Sequence, residues 1–174
     1  METNFIIAQI IGIAVAVISV VMVQFKNMAH ILLLEIISNL LISLNFILLG
    51  GWSGSGICII AIFQTTLTYI YNKKGMKLAK GYIILFEILY LICSVFTYKN
   101  VFDIISCGAA LLYGVAIVQK KTSNFRMLSA INSILWIIFD IGICAYTTVF
   151  THGFLLVSII IAMIRLDLNK KATS

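Results

Sequence analysis

The chain has 174 residues, of which 62% are hydrophobic and 10% are charged, and its formal net charge is +6. A soluble domain is close to half apolar and a quarter charged, and a globule of this size has too little interior to bury so many apolar side chains. These values exclude a single soluble domain and predict that most of the chain lies in lipid.

Seven apolar windows follow one another along the chain, each long enough to cross a membrane as a helix. A hydrocarbon core of about 30 Å needs about 20 helical residues. The windows are residues 4–24, 29–49, 54–71, 80–97, 101–118, 127–147 and 151–167. Apolar residues occupy consecutive positions, as in residues 10–23, whereas the strands of a membrane barrel alternate in polarity. The sequence therefore predicts an all-α membrane protein with seven transmembrane helices.

The basic residues between the windows predict the orientation of the chain. Eleven of the twelve Lys and Arg residues lie in or beside the first, third and fifth connections or at the C-terminus, and Lys99 alone lies on the opposite side. Because basic loops remain in the cytoplasm, we expect the N-terminus outside and the C-terminus in the cytoplasm.

Two short motifs recur along the chain. Val-Gln-x-Lys begins at Val23 and again at Val118, and Asn-Lys-Lys begins at Asn72 and again at Asn169, so the separations are 95 and 97 residues. This pattern predicts a first three-helix repeat over residues 1–75, a linker helix over 76–99 and a second three-helix repeat over 100–174. Because one linker helix returns the chain to the outer face, both repeats insert in the same direction, as in one class of transporters.

Two segments carry a resemblance to a known family. They are Phe46-Ile47-Leu48-Leu49-Gly50 in the second window, and Gly153-Phe154-Leu155-Leu156 with the later Ile164-Arg165 in the last. With the 3+1+3 plan, the chain resembles the MtN3/PQ-loop clan, which includes the SWEET sugar transporters, and within it the bacterial inner-membrane-protein family typified by YgjV. The resemblance implies a transporter-like fold in the bacterial inner membrane.

The sequence departs from the clan pattern in two respects. It contains no proline, so the Pro-Gln pair that gives the clan its name is missing. The third and last helices carry Gln64 and Ser158 where the sugar porters have Asn. The resemblance therefore implies no particular solute.

Polar residues inside the windows mark the candidate site, because such groups usually face the interior of a helix bundle or a wet cavity. A polar stripe in the sixth window covers an arc of roughly 100°. Its members are Ser129, Asn132, Ser133, Trp136 and Asp140. The second window has a wider polar face, formed by Glu35, Ser38, Asn39, Ser43 and Asn45. If the repeat holds, these two helices are equivalent, and their polar faces oppose each other across a cavity.

Two roles are assigned to the polar residues. The candidate substrate-binding residues are Asn39, Gln64, Tyr113, Asn132, Ser133 and Trp136. Glu35 and Asp140 are the candidates for coupling to protons or cations, because burial disfavours an ionised carboxylate. The alternative for the polar groups is hydrogen bonding between helices, and for Glu35 it is also snorkelling to the interface. Glu87, in the linker helix, is expected to be structural and away from the cavity.

The favoured function is a small-solute transporter that works by alternating access. The alternatives are a non-transporting scaffold or accessory protein and a receptor-like protein. HExxH, GxSxG and P-loop motifs are missing, and the four cysteines fall in separate windows without a CxxC pair, so we expect no enzyme, metal or cofactor. The expected partners are the lipid bilayer and a small solute, not nucleic acid, and the sequence leaves the oligomeric state open.

Overall fold

The computed structural model describes residues 2–48, 52–98, 101–142 and 146–168, which form seven α-helices and one π-helical segment. The helices are α1 (Glu2–Met22), α2 (Met28–Leu48), α3 (Trp52–Lys73), α4 (Lys80–Thr97), α5 (Asp103–Ile117), α6 (Thr122–Gly142) and α7 (Tyr146–Ala162). The π-helical segment, Met163–Leu168, continues directly from α7. No strand occurs in the described residues, and the predicted all-α class is confirmed.

The first five helices begin and end within two residues of the predicted windows, but the last two do not. Helix α6 begins at Thr122, five residues before its window, and α7 begins at Tyr146, which the prediction gave to the sixth window. The prediction is wrong at these points because hydropathy marks the apolar part of a helix. Polar residues such as Ser123 and Asn124 continue the helix beyond that part.

Length and composition identify two membrane-spanning stretches within the described ranges, Met28–Asn45 and Thr148–Asp167. Large apolar side chains also project outward from other helices. Ile13, Phe63 and Phe96 are 67%, 64% and 85% exposed, as expected for surfaces that contact lipid rather than water. Membrane crossing by all seven helices and the N-outside orientation remain predictions.

Helix pairing follows chain order within each half of the chain. Helix α2 packs between α1 and α3, and α6 packs between α5 and α7. Contacts of α1 with α7 and of α3 with α5 join the halves, while α4 packs against α3 and α5. Helices α2 and α6 are therefore each the middle helix of their half. The repeat boundaries and the superposition of the two halves stay predictions.

The basic connections meet at one end of the bundle, which we call the inner end. It is formed by residues 23–28, 72–79, 117–126 and 163–167. Lys120 Nζ donates to the carbonyl oxygen of Gly75 at 2.6 Å, and Arg126 Nε donates to that of Val23 at 2.8 Å. The charge rule assigns this end to the cytoplasm. It packs over buried apolar side chains that include Met22, Met28, Ile31, Ile117, Phe125 and Ile159.

Candidate functional site

The phenol of Tyr113 joins three helices. Asn39 Nδ2 donates to Tyr113 Oη at 3.0 Å and to the carbonyl oxygen of Glu35 at 2.9 Å. Thr65 Oγ1 lies 3.2 Å from the same phenol oxygen. Tyr113 thereby links α2, α3 and α5, and it brings together two residues, Asn39 and Tyr113, that the sequence predicts for the site.

Gln64 extends these contacts to α4. Its buried Nε2 donates to the carbonyl oxygen of Gly114 at 3.1 Å, and its Oε1 accepts from Tyr90 Oη at 3.0 Å. The rings of Tyr90 and Tyr113 meet edge to face, with centroids 6.5 Å apart. Four helices thus share one set of connected side chains. We call this set the polar network, and its members are Glu35, Asn39, Gln64, Thr65, Tyr90 and Tyr113.

The carboxyl group of Glu35 belongs to the polar network. The side chain is only 8% exposed, and it faces Tyr113 and Asn39. Its Oε2 is buried and has no hydrogen-bond partner among the described residues. Nearly all buried polar atoms in proteins are hydrogen-bonded, and an unpaired one costs free energy. This burial makes the snorkelling alternative wrong and leaves Oε2 without a compensating hydrogen bond among the described residues.

Glu87 lies beside the polar network, so the expectation that it lies away from the site is wrong. A Cβ atom added at Gly114 would collide with Glu87 Oε1 and would lie 3.4 Å from Gln64 Nε2. Within the described part of the chain, Glu87 Oε1 is also buried without a hydrogen-bond partner. The expectation failed because it treated α4 as a connection only, whereas α4 packs against α3 and α5, which carry the network.

The predicted residues of α6 form no hydrogen bond to the polar network in the part of the chain that is described. Ser133 Oγ donates at 2.9 Å to the carbonyl oxygen four residues earlier in its own helix. Trp136 stacks on His152 of α7, with centroids 5.9 Å apart and planes inclined by 12°. Asn132 Oδ1 is buried without a partner among the described atoms. The side chain of Asp140 lies outside the described residues, so its coupling role stays a prediction.

The inner end contains a buried arginine that the sequence analysis missed. Hydropathy places Arg126 in a connection, but it lies in α6 with a fully buried side chain. Its guanidinium donates to the carbonyl oxygens of Val23, at 2.8 Å, and Phe25, and it forms a 2.7 Å ion pair with Asp167. A buried cation needs such partners, and the carbonyl groups at a helix end need donors. Arg126 therefore ties α6 to the end of α1 and to the π-helical segment.

Gln24 links the end of α1 to α7 and to the π-helical segment that follows it. Its Nε2 donates to the carbonyl and hydroxyl oxygens of Ser158, at 2.7 and 2.8 Å, and its Oε1 accepts from Arg165 at 2.9 Å. Ser158 Oγ donates to the carbonyl oxygen of Val20 at 2.8 Å. These contacts hold α1 against α7. The Val-Gln-x-Lys motif marked Gln24 in the sequence, but nothing distinguished Arg126 from the other basic residues.

Comparison with known protein families identifies the family of this chain. A family model named Imp-YgjV, described as bacterial inner membrane protein, matches residues 6–170. The chain belongs to the Imp-YgjV family. It is therefore a multi-pass protein of the bacterial inner membrane, as the family resemblance implied. Comparisons with curated proteins and with solved structures give no match.

In this Imp-YgjV protein, the predicted site residues separate into two groups. Glu35, Asn39, Gln64 and Tyr113 lie in the polar network, whereas Asn132, Ser133 and Trp136 lie on α6. The network offers hydroxyl, amide and carboxyl groups, which can both donate and accept hydrogen bonds. Such a set can bind a polar solute or hold a proton.

Proposed function

We propose that this Imp-YgjV protein is a small-solute transporter that works by alternating access and binds its solute at the polar network. The observation that carries the proposal is the buried Oε2 of Glu35, which has no partner among the described residues and lies beside the bonded pair Asn39 and Tyr113. This oxygen can take up a proton or pair with a cationic group, and its neighbours can orient a polar solute. An ionisable group inside a membrane protein is costly and commonly marks a solute or proton path.

The helix pairing supports a transport cycle between two halves. We infer the 3+1+3 plan of the MtN3/PQ-loop clan, since α2 and α6 each pack between the two other helices of their half. In that plan, the halves rock against each other around a central site. The bonds from Arg126 to the end of α1 cross between the halves, so opening of the inner end must break them. The proposal assigns no catalytic step, cofactor or nucleic-acid partner to the chain.

A non-transporting scaffold that binds a partner or lipid is the second candidate, and specific contacts favour it. Both ends of the Gln64 amide are hydrogen-bonded within the protein, to α5 and to α4. Polar contacts of this kind hold membrane helices together without any solute. The two candidates therefore differ in what they predict for Glu35 and Asn132, whose buried oxygens lack partners among the described residues.

Proton movement in proteoliposomes tests the transporter proposal. The purified chain is reconstituted around a pH-sensitive dye, and a panel of small metabolites is added outside. We expect at least one solute to drive proton flux, and we expect Glu35→Gln to abolish that flux because an amide cannot release a proton. Asp103→Asn removes an acid outside the polar network and should leave the flux unchanged. Persistent flux in Glu35→Gln, or equal loss in both variants, would contradict the site.

Thiol labelling separates the transporter from the scaffold. In a chain whose four cysteines are replaced by Ser, we expect Asn39→Cys to react with a membrane-impermeant maleimide, because a solute path through the polar network admits water. Phe154→Cys is the matched control, since this side chain is 68% exposed on the bundle surface, where lipid excludes the reagent. Protection of both positions would favour the scaffold.

A further inference from the structure

A basic cavity lies at the inner end of the bundle, apart from the polar network. Its volume is about 650 Å³, within the range of small-ligand sites. Its cationic lining residues are Lys26, Lys120, Lys121 and Arg126. Asp167, the acid in the lining, is already paired with Arg126 at 2.7 Å. Three lysines therefore face the cavity without an acidic counterpart among its described lining residues.

The fold brings lysines from two different connections into one cavity. The positive-inside rule accounts for lysines in connections, but not for their meeting in one cavity. Lys26 comes from the α1–α2 connection, and Lys120 and Lys121 come from the α5–α6 connection. Lys74 and Lys77, in the α3–α4 region, are exposed and do not line the cavity. These two lysines therefore serve as internal controls of equal charge.

A glycine turn helps to position Lys120. Gly75 has a φ of 69°, and its N–H donates to the carbonyl oxygen of Asn72 at 2.9 Å, which ends the helical course of α3. The carbonyl oxygen of Gly75 then accepts from Lys120 Nζ at 2.6 Å. The Lys120 ammonium group is thus held beside the cavity by a backbone acceptor that leaves its charge uncompensated.

The start of α6 adds directional hydrogen-bond donors to this charge. Thr122 and Ser123 open the helix and line the cavity. The N–H groups of a first helical turn have no acceptor within the helix, and they carry the positive end of the helix dipole. Lysine ammonium groups, hydroxyls and such N–H groups together match the oxygens of a tetrahedral anion.

We propose that this cavity binds a phosphate group, carried either by an anionic phospholipid headgroup or by a soluble phosphorylated compound. Lys26 and Lys121 supply charge from two different connections, and the start of α6 orients the phosphate oxygens. Basic pockets between helices on the cytoplasmic side are suited to anionic headgroups. A phosphate bound here bridges the two halves and favours the conformation in which the inner end is closed. The site uses neither Glu35 nor the proposed solute.

Thermal unfolding of the full chain in neutral detergent tests the soluble source. Inorganic phosphate is titrated against chloride at constant ionic strength. We expect a saturable rise in the unfolding midpoint, because a ligand of the folded form stabilises it. The double variant Lys26→Gln/Lys121→Gln should bind phosphate about tenfold more weakly. Lys74→Gln/Lys77→Gln changes the net charge equally outside the cavity and should bind like the wild type, as should Lys26→Arg/Lys121→Arg.

Native mass spectrometry of the same chains tests the lipid source. We expect retention of phosphatidylglycerol over phosphatidylcholine in the wild type and the Lys74→Gln/Lys77→Gln control, but not in Lys26→Gln/Lys121→Gln. That result assigns the site to a headgroup, and a phosphate response without lipid preference assigns it to a soluble compound. Equal behaviour of the two Gln double variants in both arms, or no binding by the wild type in either, overturns the proposal. Retained binding in Glu35→Gln separates this site from the solute site.

Discussion

The close approach of Glu87 to α5 depends on the absence of a side chain at Gly114. An added Cβ would collide with the Glu87 carboxyl group and would lie in contact with Gln64, whose amide joins α3 to α4 and α5. Gly108 occupies the same helix, and a Cβ there would have no atom within 4 Å. The two glycines thus differ in environment but not in helical context, so their substitution isolates the effect of the close approach.

Gly114→Ala should be less stable than Gly108→Ala by about 1 kcal/mol, because the added Cβ forces the carboxyl end of the Glu87 side chain to shift. Gly108→Ala should leave stability unchanged or raise it by up to about 1 kcal/mol, because alanine favours the helix. Denaturant unfolding in detergent measures both. A destabilisation of the same size at the two positions would show that packing at Gly114 is not special.

Tyr113→Phe should lower the free energy of unfolding by about 1–2 kcal/mol, because it removes the acceptor of the Asn39 amide and the contact with Thr65. Tyr82→Phe is the control, since Tyr82 is 44% exposed on the outside of α4. Thermal melting of the two purified variants makes the comparison. An unchanged melting point for Tyr113→Phe would mean that the phenol does not hold the helices together.

At the scale of helices, Arg126 explains how α1 ends in a crowded region. The final carbonyl groups of a helix have no N–H donor within the helix and need donors from elsewhere. One guanidinium supplies these donors to Val23 and Phe25, and Asp167 balances its charge. A long, branched cation can satisfy three acceptors from two elements at once, which lysine cannot do in the same geometry.

Arg126→Met should destabilise the protein by about 3–5 kcal/mol, because it leaves the buried end of α1 and Asp167 without their partner. Arg165→Met, which removes an exposed arginine from the same end, should cost far less. The second substitution in Arg126→Met/Asp167→Asn should restore part of the loss, because it removes the orphaned negative charge. Chemical denaturation of the wild type, Arg126→Met, Asp167→Asn and the double variant measures this coupling, and strict additivity would contradict the proposed pairing.

The sequence could predict the positions of most helices because lipid imposes an apolar length on each crossing. It could not predict the start of α6, since the polar residues from Thr122 onward carry no hydropathy signal. Periodicity showed that Asn39 and Asn132 lie on polar faces, but it does not say which helices face each other. The structure shows Asn39 bonded to Tyr113 and not to the α6 stripe. Tyr90 was missed, and Glu87 was placed away from the site, because α4 was treated as a linker.

At the scale of the whole molecule, the basic connections lie together at the inner end of the bundle. Contacts of Arg126 with Val23 and of Lys120 with Gly75 bring the α1–α2, α3–α4 and α5–α6 connections together. Alternating helices produce this arrangement, because every second connection returns to the same side. The structure thus places the lysines together, and the charge rule says on which side of the membrane they lie.

Cysteine labelling in intact cells tests that orientation. In a chain without native cysteines, Val101→Cys in the α4–α5 connection should react with an impermeant maleimide added outside. Lys77→Cys in the α3–α4 connection should react only after the inner membrane is permeabilised. Both positions are exposed on the protein surface, so accessibility of the residue itself is matched. The reverse pattern would invert the topology and place the basic cavity outside.

The partners of Arg126 are made at widely separated times. Val23 is synthesised 103 residues before the arginine, and Asp167 follows it by 41. Until Asp167 has emerged and docked, a nascent copy carries a guanidinium whose counter-ion does not yet exist. A guanidinium without its counter-ion makes the inner end less stable, and less stable chains are degraded faster in cells. Copies that stop short of Asp167 should therefore disappear from cells faster than those that include it.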